Sequence, residues 1–193
     1  MDHHLDIELV VIEPPDDGTS SNIDALKAAL DDTTTCVVVQ YPNVFGTLED
    51  WEELVEYAHQ RGIIAACSVY PTALSLARTP GEMGFDILTG EGQSLGIDLS
   101  FGGPYLGFMA TTKKFMRKMP GRIVGRTVDT KDRDGFVLTL QAREQHIRRE
   151  NAMSNICTNE GLCALAAVVY LSCIGRSGFE KVGRLCAAKA CFA

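Results

Sequence analysis

The sequence lacks the features that identify several classes of protein. Its longest apolar stretch, residues 162–174, is interrupted by Ser172 and is shorter than the roughly 20 residues that a bilayer requires, so we interpret it as a buried helix. The first six residues are acidic where a signal peptide is basic, and secretion is not expected. The net charge is −7 with Lys and Arg scattered, which argues against nucleic acid as a partner, and the short apolar stretch argues against a membrane.

Cysteine and histidine show no spacing typical of a metal site. The seven cysteines form no Cys-x-x-Cys pair and no Cys/His cluster at zinc spacing. Several lie in apolar runs, where a free thiol behaves as a small hydrophobe. The four histidines and the scattered acids do not form a recognisable Ser/His/acid or Cys/His system. We therefore expect reduced thiols, no bound metal and a cytoplasmic location.

Strand and helix patterns alternate along the first part of the chain. Runs 36–40 and 63–67 are uninterrupted and apolar, as in a parallel sheet covered on both faces. A β-rich run at 5–12 predicts a strand, and Ser21 with Asp24 predicts the start of a helix that extends to about Leu30. The next helix is predicted to place on one face Leu48, Trp51, Leu54, Val55 and Ala58. This order predicts a three-layer α/β fold.

The chain is predicted to divide into three parts. Residues 5–118 form the α/β portion, and 119–140 form a β-hairpin arm because two strand-like runs flank a polar turn at 131–135. Residues 141–193 form a helical segment, with helices at about 160–174 and 178–190. Because the last helix is still in progress at Ala193, we expect the chain to stop inside a larger domain whose remainder is truncated.

Two glycine-rich segments and two polar segments are candidates for a site. The segment 90–96 has its third glycine one residue late for a dinucleotide fingerprint, and 101–104 lets a backbone approach a ligand, a partner or a neighbouring strand. Residues 141–150 carry three Arg and one His, which could bind a carboxylate or phosphate or form a solvated helix face. The polar residues 154–159 could bind a ligand or only cap a helix.

These segments resemble the P-protein of the glycine cleavage system, in the form labelled subunit 1 of the two-subunit enzyme. The resemblance covers nearly the whole chain, and its most specific part runs from 119 to 159. Shorter matches are Gln40-Tyr41-Pro42-Asn43-Val44-Phe45-Gly46, Gly90-Glu91-Gly92-Gln93-Ser94-Leu95-Gly96 and Phe101-Gly102-Gly103-Pro104-Tyr105-Leu106-Gly107. The resemblance implies the fold of a type I PLP-dependent transferase, with the large domain only partly present.

The resemblance also implies an activity shared between two subunits. P-proteins use a PLP–lysine Schiff base to decarboxylate glycine, and they pass the aminomethyl group to the lipoyl arm of H-protein. The catalytic lysine belongs to subunit 2, whereas the corresponding position here is Gln93. The strand 63–67 and its exit 68–71 also lack an acid to pair with the pyridine nitrogen of PLP. We therefore expect a noncatalytic subunit of a heterotetramer, with PLP in the partner subunit and none bound covalently by this chain.

The remaining role is to pack on the catalytic subunit and complete its active site. The interface or pocket candidates are Gly92, Gln93, Ser94, Gly102, Gly103, Pro104, Arg143, His146, Arg148, Arg149, Asn155 and Thr158. Asn151 replaces a lysine that is common in the family, which puts a charge-based role of that position in doubt. Two alternatives remain open: a stand-alone type I PLP enzyme with an unrecognised lysine, for which Lys113 and Lys114 are the nearest candidates, and a non-enzymatic interaction remnant.

Overall fold

The computed structural model describes residues 7–15, 18–140, 144–152 and 160–192. The strands are β1 Cys36–Tyr41, β2 Ile64–Val69, β3 Ile87–Glu91, β4 Gly107–Thr111, β5 Ile123–Val128 and β6 Asp134–Thr139. The α-helices are α1 Ile23–Ala29, α2 Glu52–Gln60, α3 Gln145–Arg148 and α4 Gly161–Phe192. Short 3-10 helices occupy Pro71–Ser75, Met116–Lys118 and Arg149–Asn151.

The four strands β1 to β4 form one mixed sheet in chain order. β1, β2 and β3 are parallel, so their carboxyl ends lie at the same edge of the sheet. β4 returns antiparallel to β3, with Thr111 opposite Ile87. The end of β4 therefore lies at the edge where β1 to β3 begin.

The core lies between this sheet and α2. As predicted, Trp51, Leu54, Val55 and Ala58 are buried on one face of the helix. Leu48 is exposed, contrary to the prediction, because α2 begins only at Glu52 and Leu48 lies in the preceding loop. Every second residue of β1 contributes to the same core, since successive side chains of a strand point to opposite faces.

The other face of β1 is open to solvent, although its continuous apolar sequence predicted cover on both sides. Cys36, Val38 and Gln40 are exposed, and Val38 retains 67% of its accessible surface. Residues 7–12 do not form the predicted strand either; they run as an exposed segment without strand pairing. A strand pattern requires a neighbouring strand for its backbone hydrogen bonds, and β1 to β4 do not pair with this segment.

The first helix begins one residue later than its predicted cap. Asn22 is the N-cap of α1, and its side-chain oxygen accepts a hydrogen bond from Ala25 N at 2.9 Å. Ser21 instead donates its hydroxyl to Glu49 Oε2 at 3.0 Å, a contact 28 residues away in sequence. Ser21 therefore does not cap the helix, because its hydroxyl forms a tertiary hydrogen bond instead.

Strands β5 and β6 form the predicted hairpin, with Ile123 opposite Thr139 and Val128 opposite Asp134. Arg126 and Asp134 form an ion pair across the two strands at 2.8 Å, and both side chains are exposed. The hairpin is a sheet of its own, separate from the mixed sheet. The boundaries of the three predicted parts of the chain remain predictions.

The C-terminal helix α4 consists of two helical segments that meet at Gly175, whose φ of 59° and ψ of −173° are not helical. The sequence predicted one helix before this position and one after it. The prediction that residues 162–174 are buried is wrong: Leu162 is 84% exposed, and the buried residues of α4 are Ala167 and Gly183. One helix of the described residues, α4, is long enough and apolar enough to cross a bilayer, judged by length and composition alone. The kink at Gly175 limits each straight segment to less than the roughly 20 residues required.

Candidate functional site at the carboxyl edge of the sheet

Three parallel strands bring their following loops together at one edge of the sheet. β1 ends at Tyr41, β2 ends at Val69 and β3 ends at Glu91. In open α/β sheets, ligands bind outside the carboxyl ends of the strands. The predicted residues Gly92, Gln93 and Ser94 follow β3 directly, so they lie at the edge where this rule places a site.

Glu91 joins the loop after β3 to the segment before β4. Its Oε1 accepts hydrogen bonds from Gln93 N at 3.0 Å and from Leu106 N at 2.8 Å. Gly92 N donates to the carbonyl oxygen of Leu106 at 2.6 Å. The backbone N–H groups of Gly92, Gln93 and Leu106 are therefore all used in hydrogen bonds within the fold. Sequence reasoning did not single out Glu91, although its position within the glycine-rich segment was a signal.

Gln93 uses its side chain inside its own loop. Its Nε2 donates to the carbonyl oxygen of Ile97 at 2.5 Å, which closes the turn 93–97. A primary amide cannot form an imine, and the hydrogen bond holds this amide against backbone rather than in a cavity. The position therefore does not fit a covalently bound PLP.

Ser94 connects the same loop to the exit of β2. Thr72 Oγ1 donates to Ser94 Oγ at 2.9 Å, and Thr72 is buried in the 3-10 helix Pro71–Ser75. Two hydroxyl groups at the ends of neighbouring strands thus bond to one another. Thr72 was not predicted, because nothing in its local pattern distinguishes it from any threonine near a turn.

Two glycines of the segment 90–96 are required by close contacts within the protein. A Cβ at Gly90 would lie 2.4 Å from Phe108 Cζ and 2.5 Å from the carbonyl oxygen of Val69. A Cβ at Gly96, where φ is +90°, would lie 2.6 Å from Tyr170 Cβ on α4. The segment therefore allows packing on β4 and α4, which supports the structural interpretation of these glycines over a phosphate cradle.

The second glycine segment forms a projecting loop. Ser100, Phe101, Gly102 and Gly103 all have positive φ values, from 44° to 132°. The loop presents Leu99 at 70% exposure and a fully exposed Phe101. Tyr105 Oη donates to the carbonyl oxygen of Leu99 at 2.8 Å and holds the base of the loop. Non-glycine residues with positive φ are uncommon, and they are concentrated at functional sites.

The predicted residues of the polar helix form a second group. Glu144 is buried, and both of its carboxylate oxygens accept from the single N–H of Arg122 Nε, at 2.9 and 3.0 Å. His146 Nδ1 lies 3.4 Å from Glu144 Oε2. Arg148 ends α3, and Arg149 follows with a φ of 52°. These contacts connect the group to the hairpin through Arg122. Arg143, Asn155 and Thr158 lie outside the described residues.

The alternative Schiff-base lysines lie at the opposite edge of the sheet. Lys113 and Lys114 follow β4, where Thr112 N donates to the carbonyl oxygen of Asp86 just before β3 begins. Both lysines are exposed. An amine that forms an imine requires a desolvated pocket, so their environment does not fit this role.

Asp86 organises that opposite edge. Its Oδ2 accepts Ala65 N at 3.0 Å and lies 2.9 Å from His59 Nε2, so one buried carboxylate joins α2, β2 and β3. Burial raises the pKa of the Cys67 thiol to about 12. Burial, and then the charge of Asp86, raise the pKa of Cys36. These raised pKa values leave both thiols protonated and poorly nucleophilic at neutral pH.

The mixed sheet, the loops at its carboxyl edge and the hairpin that follows define a partial α/β fold of the transferase-like type. A family model described as glycine cleavage system P-protein matches residues 3–193. A crystal structure of glycine decarboxylase (P-protein) in inhibitor-bound form is similar with a TM-score of 0.74 and 47% identity, covering 79% of this chain and 35% of that one. The chain belongs to the P-protein family, and the predicted fold class is confirmed.

Curated relatives are similar over most of this chain. One is the probable glycine dehydrogenase (decarboxylating) subunit 1 of Desulforamulus reducens, 60% identical over 85% of this chain and 37% of that protein. Another, with the same name, is from Citrifermentans bemidjiense and is 52% identical over 95% of this chain and 41% of that protein. The chain therefore spans about two fifths of the length of these relatives.

Proposed function

We propose that this chain is part of the noncatalytic subunit of a two-subunit, glycine-decarboxylating P-protein. The proposal rests on Gln93: the resemblance assigns it to the position of the Schiff-base lysine, and its side-chain amide donates to the carbonyl oxygen of Ile97. Its relatives are named as subunit 1 of glycine dehydrogenase, which agrees with this assignment. PLP would then be bound by subunit 2, with glycine and the lipoyl arm of H-protein as the substrates of the assembled enzyme.

The projecting loop 99–104 is the proposed contact with the catalytic subunit. Exposed aromatic side chains act as anchors at interfaces, because they bury a large area at a small entropic cost. Phe101 is fully exposed, and the loop lies at the carboxyl edge beside Gln93. The predicted residues Gly102, Gly103 and Pro104 would shape this loop, whereas His146, Arg148 and Arg149 would contact the partner on the hairpin side. A cytoplasmic location remains a prediction.

The cofactor assignment is tested with the purified chain and added PLP. We expect no stable visible absorbance of an internal aldimine and no specific lysine adduct after borohydride reduction and mass analysis. The matched variant is Gln93→Lys, which places an amine at the position in question. A specific adduct on Lys113 or Lys114 in the unsubstituted chain would contradict the proposal and support a stand-alone PLP enzyme.

The partner assignment is tested by sedimentation of the chain with a purified catalytic subunit of the two-subunit type. We expect association, weakened by Phe101→Ala by about 2 kcal/mol, the size of an interface hot spot. Phe192→Ala is the control, since Phe192 is also an exposed aromatic side chain but lies at the end of α4 rather than in a loop after a strand. Association without any gain in glycine decarboxylation by the catalytic subunit would favour the interaction-remnant alternative.

A further inference from the structure

A cluster of positive charge follows β4, in contrast to the predicted scatter of Lys and Arg. Residues 113–118 read Lys-Lys-Phe-Met-Arg-Lys, and we call them the basic turn. No Asp or Glu occurs from residue 99 to residue 128. The chain as a whole carries a net charge of −7, so this segment opposes the sign of the rest of the molecule.

The backbone of the basic turn gathers the cations around one tight turn. Lys118 N donates to the carbonyl oxygen of Phe115 at 2.7 Å, which closes the 3-10 helix Met116–Lys118. Hydrogen bonds between residues three apart recur along the segment, and in such turns Lys114 and Arg117, which are three residues apart, lie on the same side. All four cations of the turn are exposed, and Lys114 Nζ lies 4.9 Å from the Phe115 ring centroid.

The charge of the basic turn is not neutralised within the described part of the chain. The neighbouring Arg122 and Arg126 pair with Glu144 and Asp134. The four cations of the turn have no carboxylate of the described residues within ion-pair distance. Asp86, which holds the start of the turn through its carbonyl oxygen, directs its carboxylate to His59 and to Ala65 N. Four exposed positive charges therefore remain available.

We infer that the basic turn is a docking surface for an acidic patch on a protein partner. Complementary charge steers encounter and fixes orientation, and the partly exposed Met116 beside the cations supplies apolar contact. An extended polyanion fits less well, because four charges on one turn match only a few phosphates and the net charge of −7 repels the remainder. The surface lies at the edge of the sheet opposite to Gln93 and is independent of the function proposed above.

The surface is tested by the fluorescence anisotropy of a labelled Asp/Glu-rich peptide of about ten residues. The salt concentration is varied from about 0.1 M, where the Debye length is about 10 Å, to about 1 M, where it is about 3 Å. We expect salt-sensitive binding. Charge reversal by Lys114→Glu with Lys118→Glu should weaken binding about tenfold, because two exposed ion pairs with the peptide are lost and two repulsive charge pairs replace them. The control, Lys181→Glu with Arg184→Glu on α4, changes the net charge by the same amount and should weaken binding less than about twofold.

The neutral pair Lys114→Gln with Lys118→Gln should give an intermediate loss, and circular dichroism confirms that each variant is folded. The inference would be overturned if the peptide did not bind, or if both charge-reversal pairs weakened binding equally. It would also be overturned if a DNA duplex of about 20 base pairs or phosphatidylglycerol vesicles bound more tightly than the peptide, since these probes represent the polyanions argued against. None of these results depends on PLP or on the catalytic subunit.

Discussion

The amphipathic helix α2 and the mostly apolar helix α4 differ in burial, and the more apolar of the two is the more exposed. In α2, Leu54 and Ala58 are completely buried against the sheet. In α4, which is more than three times as long, the buried residues are Ala167 and Gly183, while Leu162, Leu165, Val168 and Val169 are exposed. An apolar sequence therefore shows that a helix face would be stabilised by burial. Whether the face is buried depends on which other elements of the chain pack against it.

Two close contacts of α4 with the rest of the chain are made at glycine residues. Gly183 packs against Ser75 and Thr72, and Tyr170 packs against Gly96. Both contacts reach the loops at the carboxyl edge of the sheet. Close approach at glycine therefore holds α4 beside the candidate site, although the helix buries little apolar surface.

The largest expected effect comes from truncating a buried side chain of α2. Leu54→Ala should lower the free energy of unfolding by about 2–5 kcal/mol, because it removes a fully buried side chain and leaves a cavity. Leu165→Ala on the exposed face of α4 should change it by less than about 0.5 kcal/mol. Urea denaturation of both variants measures the difference. Similar losses would show that α4 is buried in solution and would remove the contrast between the two helices.

An intermediate effect is expected where α4 meets the site. Gly96→Ala should destabilise the chain by about 1–3 kcal/mol more than Gly102→Ala, because overpacking against Tyr170 adds to the cost of a positive φ. Gly102 also has a positive φ but has open space around it, so it isolates the backbone strain. Thermal unfolding followed by circular dichroism compares the two. Equal losses would mean that the contact with Tyr170 contributes nothing.

The smallest effect, when measured over a single pH unit, concerns the buried thiol of β2. The pKa of Cys67 is raised from 9.0 to about 12 in the folded chain, so the unfolded chain loses its proton first as the pH rises. The stability due to the neutral thiol is present below pH 9 and is lost between pH 9 and about 12. The slope is at most about 1.4 kcal/mol per pH unit. Urea midpoints above pH 9 should fall more steeply for the unsubstituted chain than for Cys67→Ala; parallel slopes would contradict the assignment.

Local patterns in the sequence were sufficient to place most elements. The apolar runs around Val38 and Ala65 became β1 and β2, the polar turn at 131–135 closed a hairpin, and Gly175 separated two helical segments. Each of these depends on interactions within a few residues. The failures were non-local: residues 7–12 found no strand to pair with, and Ser21 bonded to Glu49 instead of capping a helix.

The candidate site shows the same division. The sequence singled out Gln93, Ser94 and the two glycine segments, and the structure places the loop with Gln93 next to the segment that precedes β4. It did not indicate that Glu91 joins these loops or that Thr72 reaches Ser94, because both contacts depend on how neighbouring strands end. Nor did it indicate that the lysines after β4 face the opposite edge, since that follows from the antiparallel direction of β4.

By itself, the sequence determined the alternation of strands and helices, the hairpin, and the absence of an amine at position 93. These are properties of residue type and of short-range spacing. Only the tertiary structure decided which apolar faces are buried, which glycines meet a neighbouring side chain, and which charges remain unpaired at the basic turn. Burial and pairing depend on elements that are distant in sequence, and a local pattern carries no information about whether such an element is present.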